Sequence, residues 1–371
     1  MAPITWAAKT TDSTHTRHMT VALNLAGRGL GAVWPNPTHG CVLVADGCVV
    51  GRGWTQPGGR PHAEAEALRR AAGLSRGATA YVSLEPCAHH GETPPCADAL
   101  IAAGVRRVVV AAEDPDPRVQ GLGIARLRDA GIEVIEGICK EPAVALNAGF
   151  IKRVAQGRPL FTLKTATSLD GRIATGSGQS QWITGEAARL RGHGLRADHD
   201  AVMVGIGTAL ADDPTLDCRL PGMASRSPLR IVVDSHLRLP LDSKLAQSPT
   251  SWVVTLAGGD KGPLVERGLE IIEVDANSDG MVDLDAAAQA LGKRGLTRVL
   301  VEGGARLNAS LLRENLIDRL VWFRNPRMIG GDGLPAAAGF GIEGLDKAPA
   351  FRRLSVEQVG DDVMETYERI S

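Results

Sequence analysis

The chain has 371 residues, 44% of them apolar and 22% charged, with a formal net charge of −1. That balance describes a soluble globular protein with no bulk attraction to nucleic acid or to an anionic lipid surface. The length exceeds one ordinary core of about 100 to 200 residues, so two domains are expected. No apolar run reaches the roughly 20 residues of a membrane helix, and the N-terminal stretch has no basic and apolar signal regions. The cytoplasm is therefore the expected compartment, without a membrane partner. Six cysteines, at 41, 48, 87, 96, 139 and 218, are too unevenly spread for a disulfide framework and read as reduced thiols or metal ligands.

Residues 1–15 are polar and aperiodic and read as a mobile tail, followed by a helix from about Thr16 to Arg28. From Gly40 the pattern alternates: strand (CVLVADGCVVGRGW), helix (HAEAEALRRAAG), strand (ATAYVSLE), helix (PPCADALIAAG), strand (RRVVVAAE), helix (GIARLRDAG), strand (IEVIEG). Gly73, Gly104 and Gly131 stand where helices stop. This predicts a layered α/β domain over 16–150. A helical bridge, ALNAGFIKRVAQGRP, ends in turn chemistry at 157–159. The strands LFTLKTA, AVMVGI, LRIVVDS, SWVVTL, RVLVEGG and RLVWFRNP then predict a second α/β domain over 158–371, with Ala257 to Gly280 as a surface excursion.

Three residues in the first half have the chemistry of a zinc set. His62 opens a helix after the QPGGRP turn, Cys87 follows a buried strand, and Cys96 opens the next helix. One imidazole and two thiolates leave a fourth position for water, whereas structural zinc sites close with four protein ligands. Glu64, two residues beyond the histidine, is placed to carry a proton between that water and a leaving amine. The H-x-E and P-C pattern matches the zinc deaminases, with eight residues between the cysteines in place of two. The plainer alternative has His62 as a helix cap, Glu64 as a solvated first-turn acid and both cysteines as core thiols. His89 and His90 read as surplus loop histidines, with substrate contact, an outer-sphere role or a fourth ligand as the other options.

In the second half, AVMVGIGT and RVLVEGG each end in glycines followed by helical sequence, which lets backbone N–H groups approach a phosphate. Neither is a Rossmann fingerprint, because Leu210 stands where the third glycine belongs. Arg196 and Arg219 are suited to bidentate phosphate contacts, with a solvated surface as their plainer role.

Taken in order, PNPTHGCVLVADG, GGRPHAEAEAL, LEPCAHHGETPPCADAL, DPDPRV, SLDGRIA, SQWIT, GTALADDP and VEGG resemble the bifunctional deaminase-reductase family of riboflavin biosynthesis, over nearly the whole chain. The resemblance implies a cytidine-deaminase-like domain followed by a dihydrofolate-reductase-like domain that binds NADPH without a Rossmann pattern. It implies deamination of a diaminopyrimidinone ribosylamino 5'-phosphate, then reduction of its ribosyl group to ribityl, in a cytoplasmic protein that tends to self-associate as a homo-oligomer.

By that resemblance His62, Cys87 and Cys96 hold zinc, Glu64 is catalytic and Asn36 contacts substrate. Ala166, Trp182, Thr208, Asp212, Ser235 and the segment Gly304, Ala305, Arg306, Leu307 contact NADPH, while Ser180, Arg196, Leu216, Arg219 and Glu302 contact the ribotide. The chain departs from the family pattern at Glu92, which replaces a basic residue, at His39, which replaces a valine, and at Asp217-Cys218 before Arg219. Glu92 raises the alternative of an active reductase with an impaired or respecialised deaminase. A nucleoside or RNA deaminase is disfavoured by DPDPRV and by the lack of a basic, aromatic face.

Overall fold

The computed structural model describes residues 13–89 and 94–370. Contacts divide the chain into two compact units, 1–157 and 158–371. Among the described residues no helix is long and apolar enough to cross a membrane.

The first unit runs α1 (Ser13–Ala26), β1 (Gly40–Ala45), β2 (Cys48–Trp54), α2 (Ala63–Ala71), β3 (Thr79–Val82), α3 (Cys96–Ala102), β4 (Arg107–Val110), α4 (Leu122–Asp129), β5 (Glu133–Glu136), α5 (Lys140–Leu146) and α6 (Ala148–Gln156). Its five strands lie in the order β2-β1-β3-β4-β5, antiparallel around β1 and parallel from β3 to β5. Every residue of β3 is buried, as expected of a strand covered on both faces. On one face Met19 and Ala22 of α1 pack against Val42, Tyr81 and Val109. On the other, Ala63, Ala67, Leu100 and Leu127 pack against Leu43, Val82 and Val108.

Three expectations for this unit are corrected. The single strand CVLVADGCVVGRGW is a hairpin, because Asp46 and Gly47 both adopt positive φ (48° and 76°) and turn the chain back on itself. The bridge is two helices broken at Asn147, whose amide accepts from the Thr38 N–H at 3.0 Å and donates to the Thr38 carbonyl at 3.1 Å. The first helix also begins at Ser13 and ends at Ala26, earlier at both ends than its pattern suggests. The glycines of β2 serve packing: a Cβ on Gly53 would lie 2.1 Å from the Ala63 carbonyl oxygen, and one on Gly51 2.3 Å from that of Ala67. Their absence of side chains lets α2 lie directly on the hairpin.

The second unit runs β6 (Leu160–Thr167), β7 (Arg172–Ala174), α7 (Glu186–Ala197), β8 (Ala201–Gly205), α8 (Ile206–Asp212), β9 (Leu229–Val233), β10 (Ser251–Leu256), α9 (Gly262–Glu266), β11 (Glu270–Val274), α10 (Leu284–Lys293), β12 (Arg298–Val301), α11 (Ala305–Arg313), β13 (Ile317–Arg324), β14 (Leu334–Pro335), β15 (Phe351–Val359) and β16 (Asp362–Arg369). Nine strands form one sheet in the order β11-β10-β9-β8-β12-β6-β13-β16-β15, and β14 pairs with β7 apart from it. The sheet is parallel from β11 to β13 and antiparallel through β16 and β15. Val202, Val204, Val232, Val253 and Leu300 form its apolar centre with Leu245 and Leu264.

Here the supposed surface excursion at 257–280 carries α9 and the edge strand β11, which pairs with β10 from Glu270 to Val274. The C-terminal hairpin β15–β16 was not read at all. Its first strand, FRRLSVEQV, is exposed over most of its length, so no buried face marks it in the sequence.

Candidate active sites

His62 occupies the N-cap position of α2 in extended conformation, and its side chain makes no capping bond. The plainer role of a helix cap is thus not the one its ring performs. The ring turns instead to the two cysteines: His62 Nδ1 is 3.3 Å from Cys96 Sγ and 3.7 Å from Cys87 Sγ. The three donor atoms lie within 4.8 Å of one another, a spacing that a single metal ion can bridge. Cys87 Sγ also accepts the Cys96 N–H at 3.3 Å. The two thiols share charge unequally. A hydrogen bond from Cys96, joined by His62, holds Cys87 well below the usual thiol range, and the same contact pushes Cys96 above it.

Glu64, one residue into α2, is fully buried. Burial, reinforced by charge on Cys87, lifts its carboxyl to about 7. Among the described residues neither oxygen has a hydrogen-bond partner of sound geometry, although the Cys96 thiol lies alongside. A buried orphan carboxylate next to three metal-type donors fits a site completed by a cation and water. The alternative of a solvated first-turn acid is excluded by its burial.

Glu85 organises the back of this site. It stands at the end of the buried strand before Pro86 and Cys87, and it accepts N–H groups from Asp114 (3.3 Å), Gly121 (3.0 Å), Gly123 (2.9 Å) and Ile124 (3.1 Å). The DPDPRV loop is thereby stapled beneath the Cys87 turn, with Arg118 forked onto Asp116. Only glycine fits at 123, where a Cβ would meet the Pro86 carbonyl oxygen at 1.9 Å. Burial lifts Asp114 to about 7. Sequence reasoning passed over Glu85; an acid closing an otherwise apolar strand is the signal that would have found it.

Asn36 is half-buried against the turn before His62, close enough that a Cβ on Gly59 would collide with its Nδ2. His39 stacks on the His62 ring, with centroids 5.5 Å apart and planes 29° from parallel. Burial, then the neighbouring His62, pushes it down to about 3, so its ring is neutral. His89 is half-buried, its Nδ1 without a partner among the described residues, and His90 and Glu92 lie outside those residues.

In the second unit the parallel strands bring several expected residues to one end of the sheet. Gly205 ends β8 and Glu302 follows β12, which is paired directly with β8. A Cβ on Gly304 would lie 3.1 Å from Thr208 Oγ1, and one on Gly205 3.6 Å from Leu307 Cβ, so the two strand-to-helix turns touch. Gly304 caps α11 without a side-chain bond, which leaves the N–H groups of its first turn open to an anion. These uncapped, small-residue turns fit a phosphate-bearing cofactor.

Glu302 is the centre of this group. Arg196 forks onto it, with Nε to Oε1 at 2.6 Å and Nη2 to Oε2 at 3.1 Å, while Lys164 Nζ lies 3.6 Å from Oε2. Against the upward push of burial, Arg196 and then Lys164 hold the carboxyl at about 2. The remaining Arg196 arm donates to the Asp217 carbonyl at 2.9 Å. Arg219 is exposed and only 3.6 Å from Asp217 Oδ1, so its fork is largely available. Lys164 was missed by sequence reasoning, though a lysine inside the buried strand LFTLKTA is its signal.

Other expected residues are committed elsewhere. The Leu216 side chain packs in the apolar centre, and its backbone adopts φ 53°. Ser235 is buried and its Oγ accepts the Val282 N–H at 3.0 Å. Trp182 is exposed, with the Arg189 guanidinium 4.6 Å over its ring and its carbonyl accepting from Arg327 at 3.3 Å. Ser180, Ala166 and Ala305 are half-buried, and Arg306 and Asp212 are exposed.

Residues 12–112 match the family described as "Cytidine and deoxycytidylate deaminase zinc-binding region", and residues 159–364 match "RibD C-terminal domain". The chain is 43% identical over 359 residues to the riboflavin biosynthesis protein RibD of Escherichia coli (strain K12), covering 93% of this chain and 97% of that one. The chain belongs to the RibD family. The RibD of Aquifex aeolicus (strain VF5) is 40% identical over 355 residues, covering 95% and 98%. Among solved structures, Acinetobacter baumannii RibD, form 1, matches at a TM-score of 0.88 and 39% identity, over 96% of this chain and 99% of that one. A Thermotoga maritima structure described as a diaminohydroxyphosphoribosylaminopyrimidine deaminase/5-amino-6-(5-phosphoribosylamino)uracil reductase matches at 0.86 and 34%, over 96% and 99%.

As a RibD, the chain is a bifunctional enzyme of riboflavin biosynthesis, with a zinc-binding deaminase region followed by an NADPH-dependent reductase domain. The cytidine-deaminase-like and dihydrofolate-reductase-like folds expected from the motifs are the folds of its two units.

Proposed function

We propose that His62, Cys87 and Cys96 hold the zinc of the deaminase and that Glu64 is its proton carrier, acting on the pyrimidine ribotide named for the Thermotoga relative. The single observation that carries this reading is the fully buried Glu64 carboxylate, without a partner among the described residues, beside three donors within 4.8 Å of one another. When bound there, zinc supplies Lewis acidity that brings the pKa of a water toward neutrality. Glu64 is lifted to about 7, so it takes a proton from that water and returns it to the departing amino group at neutral pH. The Glu85 staple fixes the loop under Cys87, and Glu64 and Cys96 are buried while His62 and Cys87 are half-buried.

In the second unit the NADPH contacts are assigned to Ala166, Trp182, Thr208, Asp212, Ser235 and the turn from Gly304 to Leu307. Ser180, Arg196, Leu216, Arg219 and Glu302 are assigned to the ribotide. NADPH, when bound, supplies the hydride. Arg196 is held by Glu302, so it orients that carboxylate toward the sugar, while Arg219, with its open fork, takes the phosphate. Asn36 contributes to the deaminase pocket from the turn beside His62. The family resemblance further supports a homo-oligomer working in the cytoplasm, which sedimentation of the purified chain would test.

The experiment is ammonia release from the diaminopyrimidinone ribotide without NADPH, with and without prior chelation, followed by NADPH oxidation. Chelator-sensitive release, then oxidation, is expected. Release from cytidine but not from the ribotide would overturn the substrate reading.

A further inference from the structure

His39 is left without a task by the deaminase chemistry described above. Its ring is 3% exposed, and among the described residues neither Nδ1 nor Nε2 has a hydrogen-bond partner. The backbone holds it there. Its N–H donates to Thr55 Oγ1 at 3.0 Å, its carbonyl accepts the Thr55 N–H at 3.0 Å, and the next N–H, of Gly40, donates to Ser83 Oγ at 2.9 Å. The ring lies against that of His62, beside the donors of the metal set.

An imidazole has two ring nitrogens that take hydrogen bonds, and burying either unpaired costs about 1–3 kcal/mol. An apolar side chain of similar girth would fill this position without that cost. A buried polar group that the protein leaves unsatisfied calls for a specific cause, and beside a reaction centre a bound molecule is one such cause. The entering molecule is a pyrimidine whose edge alternates donors with acceptors, so it can pair with a ring nitrogen of either kind. A site that hydrogen-bonds its substrate also rejects analogues lacking the matching group, since the buried nitrogen is then left unpaired.

We propose that His39 is a specificity-determining residue of the deaminase, whose imidazole hydrogen-bonds the pyrimidine ring of the substrate. The proposal rests on the deaminase reading of the His62 and Glu64 site. It assigns His39 no bond to the metal and no proton transfer; its role is to choose and seat the ring.

The test compares the full-length chain with His39→Val, which leaves a smaller apolar side chain and removes both nitrogens, and His39→Asn, which restores a donor and an acceptor. Zinc content, NADPH oxidation on deaminated ribotide, and KM and kcat for ammonia release are measured for each. His39→Val is expected to retain its zinc and its reductase rate while KM for the ribotide rises about tenfold, the loss of roughly one hydrogen bond to the substrate, with a smaller change in kcat. His39→Asn should recover part of that loss. Ribotide binding by calorimetry to Glu64→Gln, with and without His39→Val, gives the same comparison without turnover, again as a weakening of about tenfold. An unchanged KM and Kd at full zinc occupancy overturns the proposal, and so does loss of zinc in both His39 variants, which would make the residue structural. Failure of the unsubstituted chain to deaminate the ribotide would instead overturn the underlying deaminase reading.

Discussion

Glu64 and Glu302 are both enclosed carboxylates at the heart of a reaction centre, yet their surroundings differ in kind. Among the described residues Glu64 has no hydrogen-bond partner of sound geometry and is lifted to about 7, whereas Glu302 is forked by Arg196, approached by Lys164 and held at about 2. The first centre is electrostatically unfinished without a cation, while the second is balanced by the protein's own charges. A carboxylate that must exchange protons is kept free of cationic side chains, and one that must stay ionised as an anchor is surrounded by them.

The sharpest test of that contrast is Glu64→Gln. Ammonia release should fall by about 10²- to 10⁴-fold, the usual worth of a proton carrier, with NADPH oxidation on the deaminated ribotide unchanged. A parallel fall in both rates would show that the two centres are not separable. Glu302→Ala should act through stability as well as rate. It strands a guanidinium whose side chain is 14% exposed, at a cost of about 3 kcal/mol, read by chemical denaturation, with NADPH oxidation falling alongside. If Glu64→Gln destabilised the metal-free chain as much, the contrast would be broken.

Smaller effects sharpen the comparison inside the first unit. Glu85→Gln turns one acceptor into a donor facing backbone N–H groups, which should cost about 1–3 kcal/mol and weaken zinc retention in a competition assay. An Asp114→Asn variant tests the sign of a titration. Burial raises the folded pKa of Asp114 from its ordinary value of 3.8 to about 7, so the folded state binds a proton that the unfolded state has released between these values. Stability from this group is therefore present below the unfolded pKa and lost as pH rises through the folded one. Denaturation across that window should show a shallower decline in Asp114→Asn than in the unsubstituted chain.

The parts of the molecule that a reader of the sequence can see are those encoded locally. His62, Glu64, Cys87 and Cys96 sit on short motifs at the junctions of elements, and the zinc-type chemistry of the group follows from residue identity and spacing. Continuous apolar runs such as RVVV and AVMVG announce buried parallel strands. The Arg196–Glu302 pair is separated by 106 residues, and the partners of Glu85 lie 29 to 39 residues away, so only the assembled sheet brings them together. The β1–β2 turn was hidden because Asp46-Gly47 interrupts an apolar run too briefly to look like a boundary. The β15–β16 hairpin was hidden because β15 is polar and largely exposed, while the buried positions of β16 include Asp362 and Glu365 and so give no apolar run.

The order of strands also sets an order in time. In the first unit β1 pairs with β2 across a two-residue turn, and β3, β4 and β5 pair in succession, so a growing chain can assemble that sheet almost as it is made. In the second, β6 is synthesised first but lies between β12 and β13, with Leu160 paired to Arg298. Its apolar edges wait for more than half of that unit to be made, and the β16–β15 pair that extends the sheet beyond β13 is made last. Nascent chains should therefore acquire a protease-resistant first unit well before the second, making the reductase half the slower to mature and the one more dependent on protection during synthesis.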